Sequence, residues 1–93
     1  MKARQIKSLR RSLKQTQQQL ASMLGLSFAS VNRWENGQNV PTGLSLVLLQ
    51  LVQEAVEAKS AKLVVEALLP IQGDAVGLVK TLVKLAHNEK KGK

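Results

Sequence analysis

The sequence predicts an all-α protein, a compact bundle of five short helices with an additional C-terminal helix. Apolar residues recur at helical spacing, and capping residues, Gly or Pro separate the apolar stretches. Val and Leu dominate residues 44–86 and would also suit strands, but the 3.6-residue pattern of residues 75–87 favours helix. The 93 residues are enough for one domain with a modest core.

Caps and apolar spacing set the predicted helix boundaries. The predicted helices span residues 3–14, 17–24, 28–36, 43–58, 60–69 and 75–87. Pro70 ends the fifth helix, and Asp74 can cap the sixth. The predicted inner face of the sixth helix consists of Ala75, Val76, Leu78, Val79, Leu82, Val83 and Ala86.

The fourth predicted helix, residues 43–58, is apolar on almost every side. A helix of this kind is buried all round in a folded protein. Five short helices cover only part of its surface, so we expect the C-terminal segment or a second subunit to cover the rest. The surplus apolar surface predicts that helices 4 to 6 form a dimer contact.

Residues 16–37 carry the most specific pattern in the chain. Thr16 and Gln19 form a capping box at the start of one short helix, and Gly25 ends that helix in a left-handed conformation. Ser27 then caps a second short helix. Two short helices joined by a tight turn predict a helix-turn-helix, which places its second helix in the major groove of DNA.

This stretch resembles the helix-turn-helix family of phage lambda repressor and Cro proteins over about residues 6–51. The matching residues are Thr16, Gln17, Leu20, Ala21, Leu24, Gly25, Leu26, Ser27, Val31, Trp34, Glu35, Gly37 and Pro41. The resemblance implies a compact bundle of about five helices that binds operator DNA, usually as a dimer. It also implies that Arg10 of the first helix pairs with Glu35.

Four side chains are the expected base contacts by this resemblance. They are Phe28, Ala29, Asn32 and Arg33. Arg33 suits a bidentate contact to guanine or a phosphate clamp, and Asn32 suits adenine or a phosphate. Phe28 suits thymine methyl groups or the bundle core, whereas Trp34 shares the core-facing side of its helix with Val31. Many family members carry a polar residue at positions 28 and 29, so apolar contact is expected here instead.

Phosphate contacts are expected around the same two helices and at the end of the first helix. The expected contacts are Thr16, Gln17, Ser27, Ser30, Asn36, Arg10 and Lys14. The resemblance itself implies the roles of Gln17 and Asn36 in holding the DNA backbone.

The net charge of +8 is unevenly distributed. Residues 1–43 hold seven basic residues and one acidic residue, residues 44–79 hold two and four, and residues 80–93 hold five and one. The basic excess thus lies on the half that contains the helix-turn-helix and on the C-terminal tail, as a phosphate-binding face requires. The absence of cysteine, of a long apolar run and of a signal-peptide pattern predicts a cytoplasmic protein without a membrane partner.

The sequence does not suggest an enzyme. It lacks a nucleophile with a matching base, a Gly-rich phosphate loop and a carboxylate pair in a plausible cleft. His87 is the only histidine, and no cysteine could join it at a metal. We therefore expect no catalytic residues, no cofactor and no metal.

These observations predict a sequence-specific regulator of transcription that binds double-stranded DNA, most simply a homodimeric repressor on a palindromic operator. The predicted DNA-binding domain is residues 1–57, residues 58–88 form a dimerisation or partner-binding extension, and residues 89–93 form a basic disordered tail. One alternative is an antitoxin whose C-terminal helices bind a toxin. Another is a plasmid or phage DNA-binding adaptor that does not regulate transcription.

Overall fold

The computed structural model describes residues 1–87, so the predicted tail at residues 89–93 lies outside the described residues. The helices are α1 (Ala3–Ser12), α2 (Gln17–Leu24), α3 (Phe28–Glu35), α4 (Gly43–Ala58), α5 (Ala61–Leu68) and α6 (Ala75–His87). A single 3-10 turn, Leu69–Ile71, lies between α5 and α6. Residues 1–87 contain no strand, and the predicted all-α class with six helices is confirmed.

The predicted caps account for most of the helix ends. The Oγ1 of Thr16 accepts a hydrogen bond from the backbone N–H of Gln19 at 3.1 Å, and the backbone N–H of Thr16 donates to the Oε1 of Gln19 at 2.9 Å. Ser27 caps α3 in a similar way, and Gly25 ends α2 with φ 71°. Because these bonds satisfy backbone groups that a helix end leaves free, they fix where α2 and α3 begin and end.

Three helices are shorter than predicted, and of these α3 ends at Glu35, one residue before its predicted end. Helix α1 ends at Ser12 rather than Lys14, because Lys14 takes a left-handed conformation with φ 56° that no helix interior allows. Helix α5 begins after Ser60, whose hydroxyl oxygen accepts from the backbone N–H of Leu63 at 3.1 Å. It ends at Leu68, where the chain tightens into the 3-10 turn that contains Pro70.

Helix α4 lies at the centre of the packing, with its largest contact made to α6. Helices from both halves of the chain share one hydrophobic core. Its buried members are Ile6, Leu9, Leu13, Leu20, Ala21, Met23, Leu24, Val31, Trp34, Leu48, Leu49, Val52, Ala55, Val64, Leu68, Leu78 and Leu82. Within residues 1–87 none of the helices has the length and apolarity needed to cross a bilayer.

The structure corrects the predicted inner face of α6 and leaves part of α4 uncovered within one chain. On α4, Leu44 is 54% exposed and Val47 is 45% exposed, so their cover by a second subunit stays a prediction. On α6, Leu78 and Leu82 face the core, whereas Val76 is 64% exposed and Val83 is also exposed. The predicted inner face of α6 was therefore wider than the side that the neighbouring helices cover.

The segment between the 3-10 turn and α6 touches the turn of the helix-turn-helix. The backbone N–H of Gly73 donates to the carbonyl oxygen of Met23 at 3.1 Å, one of the carbonyl groups that the last turn of α2 cannot satisfy. A Cβ atom placed on Gly25 would lie 3.1 Å from the Cα of Gly73. The close approach of the two backbones therefore depends on the missing side chain at Gly25.

Candidate nucleic-acid interface

Helix α3 presents one face to the core and the other to solvent. Val31 and Trp34 are buried, in agreement with the sequence prediction for both. The predicted base-contact residues Phe28, Ala29 and Arg33 are exposed, and Phe28 is not a core residue because 46% of its surface is accessible. Helical spacing thus gathers these side chains along the exposed side of α3, together with the half-buried Asn32 described below.

A buried ion pair attaches α3 to α1. The carboxylate of Glu35 accepts from the Nε of Arg10 at 2.7 Å and from its Nη2 at 2.9 Å, so the predicted pairing is confirmed as a bidentate contact. The Nη1 of Arg10 donates to the carbonyl oxygen of Gln15 at 3.0 Å. All three nitrogen atoms of Arg10 are therefore engaged within the protein, and its side chain is only 15% exposed.

The pKa of Glu35 reflects opposing effects. Burial raises the pKa of this carboxyl, while hydrogen bonds from Arg10 and Gln17 and the positive charges of Arg10 and Lys7 lower it. The net effect is a pKa below its ordinary value of 4.5. The partner group responds in the matching sense, because its hydrogen bond to Glu35 raises the pKa of Arg10. Each of these two pKa shifts favours the charged form of its group.

Amide side chains continue this contact across α2 and α3. The Nε2 of Gln17 donates to the Oε1 of Glu35 at 3.0 Å, and the Oε1 of Gln17 accepts from the Nδ2 of Asn32 at 3.0 Å. The Oδ1 of Asn32 in turn accepts from the Nδ2 of Asn36 at 3.1 Å. Residues 17, 32, 35 and 36 therefore form one continuous chain of hydrogen bonds, which we term the amide chain.

The predicted phosphate-contact residues lie in four different settings. Thr16, Ser27 and Ser30 lie at the N-terminal ends of α2 and α3, where exposed backbone N–H groups and the helix dipole favour an anion. Gln17 and Asn36 belong to the amide chain, and Lys14 is exposed just beyond the end of α1. Arg10 is corrected, because its guanidinium nitrogens already bind Glu35 and Gln15 and leave it poorly placed for a phosphate.

Sequence reasoning did not single out Lys7 as a site residue. Lys7 is half-buried on α1, and its charge lowers the pKa of Glu35, which places it beside the α1–α3 contact. A signal was present, because Arg4, Lys7 and Arg11 recur at spacings of three and four and so form one basic stripe on α1. The described residues hold no group of three or more His, Cys, Asp or Glu side chains that could bind a metal.

Comparisons with known proteins agree with this architecture. A family model described as Helix-turn-helix matches residues 6–50. The chain is similar to the HTH-type transcriptional regulator DicA of Escherichia coli (strain K12), with 45% identity over 47 residues. That stretch is 50% of this chain and 35% of the relative, so the chain spans about a third of the relative's length. No solved structure matches the chain significantly. The match over residues 6–50 confirms the resemblance of this segment to helix-turn-helix proteins that was seen in the sequence.

Proposed function

We propose that this protein binds double-stranded DNA at specific sequences and regulates transcription, with α3 inserted in the major groove. The observation that carries the proposal is the exposed face of α3, because its base-contact candidates lie on the second helix of a helix-turn-helix. The major groove is wide enough for an α-helix, and each base pair presents a distinct pattern of donors, acceptors and methyl groups there.

The chemistry of the four side chains suggests what each one reads. Arg33 suits the O6 and N7 acceptors of guanine, and Asn32 suits the N6 and N7 of adenine. Phe28 and Ala29 offer apolar surface to thymine methyl groups. Since polar hydrogen-bonding groups are absent at positions 28 and 29, we expect the preferred site to be rich in A·T pairs beneath the start of α3.

The phosphate contacts proposed lie around the N-terminal ends of α2 and α3, at the C-terminal end of α3, and on and just beyond α1. They comprise Thr16, Gln17, Ser27, Ser30, Asn36, Lys14 and Lys7. Contacts of this kind fix the position of α3 on the duplex without reading its sequence. Residues 1–43 carry seven basic residues against one acidic residue, which supports their proximity to phosphates.

We also propose that two copies associate through α6 and bind a palindromic operator. Val76, Val79 and Val83 recur at spacings of three and four, and Val76 and Val83 are exposed. This ridge differs from the core-facing side that contains Leu78 and Leu82. A symmetric dimer would place two α3 helices on half-sites separated by about one turn of DNA, roughly 34–36 Å.

Repression is the regulatory outcome that we propose, because an occupied operator is sufficient to block a promoter. The first test is binding to DNA upstream of the protein's own gene and to a scrambled duplex, across a series of salt concentrations. Preference for the upstream fragment at physiological salt is expected. Equal binding to both duplexes with a steep loss in salt would contradict sequence-specific recognition, because phosphates alone would then be sensed.

Sedimentation at several protein concentrations tests the dimer separately. We expect the average mass to rise with concentration towards that of two chains. A constant monomer mass would contradict self-association through α6. It would favour instead a different protein on this ridge, such as the toxin that an antitoxin binds.

A further inference from the structure

The amide chain has a direction that one residue imposes. A carboxylate has no hydrogen to donate, so Glu35 can only accept. Gln17 must therefore turn its NH₂ group towards Glu35, which it meets at 3.0 Å, and this leaves its carbonyl oxygen facing Asn32. Asn32 must then donate its NH₂ group to Gln17, also at 3.0 Å, and offer its own oxygen to Asn36.

Asn32 keeps free bonding capacity at both ends of its amide. Its NH₂ group has two hydrogens, of which Gln17 takes one, and its oxygen has two acceptor positions, of which Asn36 takes one. A bidentate contact to adenine likewise needs one amide hydrogen and one acceptor position. By this count Asn32 keeps one donor and one acceptor position for a base while the amide chain stays intact.

We infer that Glu35 and Gln17 are positioning residues for DNA recognition, because they fix which end of the Asn32 amide donates and which accepts. This inference rests on the proposed function and names a determinant of its specificity. An amide free to rotate by half a turn would offer either pattern, and its preference between bases would be weak. An amide held in one orientation already presents a single arrangement of donor and acceptor in the free protein.

The charge of Glu35 gives the inference a sharp consequence. The Oε1 of Glu35 accepts from both Gln17 and the Nη2 of Arg10. In a Glu35→Gln variant, either the oxygen or the NH₂ group of the new amide can occupy that position, so Gln17 is no longer forced to donate. The amides of Asn32 and Asn36 can then adopt either direction, and the substitution removes the constraint on the pattern that Asn32 presents.

The first part of the test uses the free, ¹⁵N-labelled protein and follows side-chain NH₂ signals by NMR. In the wild type, we expect one protected hydrogen on each of Gln17, Asn32 and Asn36. Gln17→Leu should remove the protection at Asn32, whereas the control Gln18→Leu should preserve it, since Gln18 is exposed and bonds only to Ser22. Glu35→Gln should reduce the protection at Asn36. Unchanged signals in Gln17→Leu and Glu35→Gln would overturn the inference.

The second part uses selection from randomised duplexes, with Asn32→Ala locating the base pair that Asn32 reads. At that pair, Gln17→Leu should reduce a preference of about tenfold to near unity, and Glu35→Gln should weaken the same preference. The other pairs and the Gln18→Leu control should keep the wild-type preference. If both Gln17→Leu and Glu35→Gln kept the wild-type preference at that base pair, the inference would be overturned. The proposed function would remain intact.

If the wild-type protein selected no sequence from the randomised duplexes, the proposed function would be overturned. The proposed contact of Asn32 with a base would be overturned with it. The NMR result separates this outcome from failure of the amide chain itself. Circular dichroism on each variant identifies any loss of fold. If Glu35→Gln does not fold, Gln17→Leu still decides the inference, because it leaves the Arg10–Glu35 ion pair in place.

Discussion

Glu35 is a buried charge that connects three helices. Its side chain is 1% exposed, and it accepts hydrogen bonds from Arg10 on α1 and from Gln17 on α2. Removing one partner of a buried pair leaves the other charge uncompensated. Glu35→Ala should therefore lower the free energy of unfolding by roughly 3 kcal/mol, as measured by urea denaturation. Glu54→Ala is the control, because Glu54 is exposed on α4. Equal losses in the two variants would contradict this role.

The same carboxyl should make stability depend on pH in acid. In the folded protein the pKa of Glu35 lies below its ordinary value of 4.5, so the unfolded chain takes up a proton first as pH falls. The stabilisation is complete above about pH 4.5 and is lost as pH falls from there through the folded pKa. Denaturation at several pH values should show a shallower decline below pH 4.5 in Glu35→Gln than in Glu54→Gln. Identical profiles would refute the assignment.

Two basic residues should differ in what they contribute to DNA binding. Arg33→Ala should relax the preference at one base pair by about 1–3 kcal/mol, because a bidentate contact to guanine is lost. Lys14→Ala should weaken binding to all sequences alike and reduce the salt dependence by about one phosphate contact. Titrations of preferred and scrambled duplexes at several salt concentrations measure both effects. A uniform loss in Arg33→Ala would mean that Arg33 clamps a phosphate.

The sequence could predict some contacts at this scale and not others. The Arg10–Glu35 pair was expected from the family resemblance, and the structure confirms it. The amide chain could not be predicted, because Gln17 lies 15 residues from Asn32 and 18 from Glu35, and polar residues at such separations carry no periodic signal. Its direction follows only when the three side chains are seen together.

At the scale of helices, local chemistry predicted the starts better than the ends. Thr16 and Ser27 begin α2 and α3 as expected, because an N-cap needs only a hydroxyl near the next turn. The early end of α1 was missed, since nothing in the residue type of Lys14 signals the left-handed conformation that it adopts. The exposed ridge of α6 was missed for a related reason, because apolar spacing does not show which side a neighbour covers.

Two glycines in the left-handed conformation provide a matched test of how α2 ends. Gly25 has φ 71° and Gly37 has φ 77°, but a Cβ atom on Gly37 would meet nothing within 4 Å. Gly37→Ala should therefore lose about 1 kcal/mol of stability through backbone conformation alone. Gly25→Ala should lose more, because its Cβ would also press on the backbone of Gly73. Thermal unfolding measures the loss of stability in both variants. Equal losses would show that the backbone of Gly73 can move to accept a side chain at residue 25.

At the scale of the whole molecule, the α6 ridge should control self-association. Val76→Asp and Val83→Asp each place a charge in the proposed dimer contact, so sedimentation should shift towards the monomer. Both residues are exposed within one chain, and the free energy of unfolding of the monomer should change by only about 0.5 kcal/mol. Lys84→Gln serves as a control elsewhere on α6. Unaltered association in both valine variants would place the contact on another surface.

The distribution of charge and the class of fold were the most predictable properties of the molecule. Charge is additive along the sequence, and helical spacing repeats over many residues, so neither depends on a single contact. The division of apolar residues between core and surface was harder, because Leu44 and Leu48 have similar local sequence signals but 54% and 1% exposure. Only the position of the neighbouring helices separates them.

The contact between Gly25 and Gly73 bears on how this protein could be re-engineered. Because Gly73 satisfies a carbonyl group of α2, and Leu68, Leu78 and Leu82 share a core with the motif, a fragment ending at residue 57 would expose apolar surface on α4. We therefore expect that the helix-turn-helix cannot be transferred to another scaffold without loss of stability. Substitutions on α3 that aim at a new DNA specificity should be made within the intact chain.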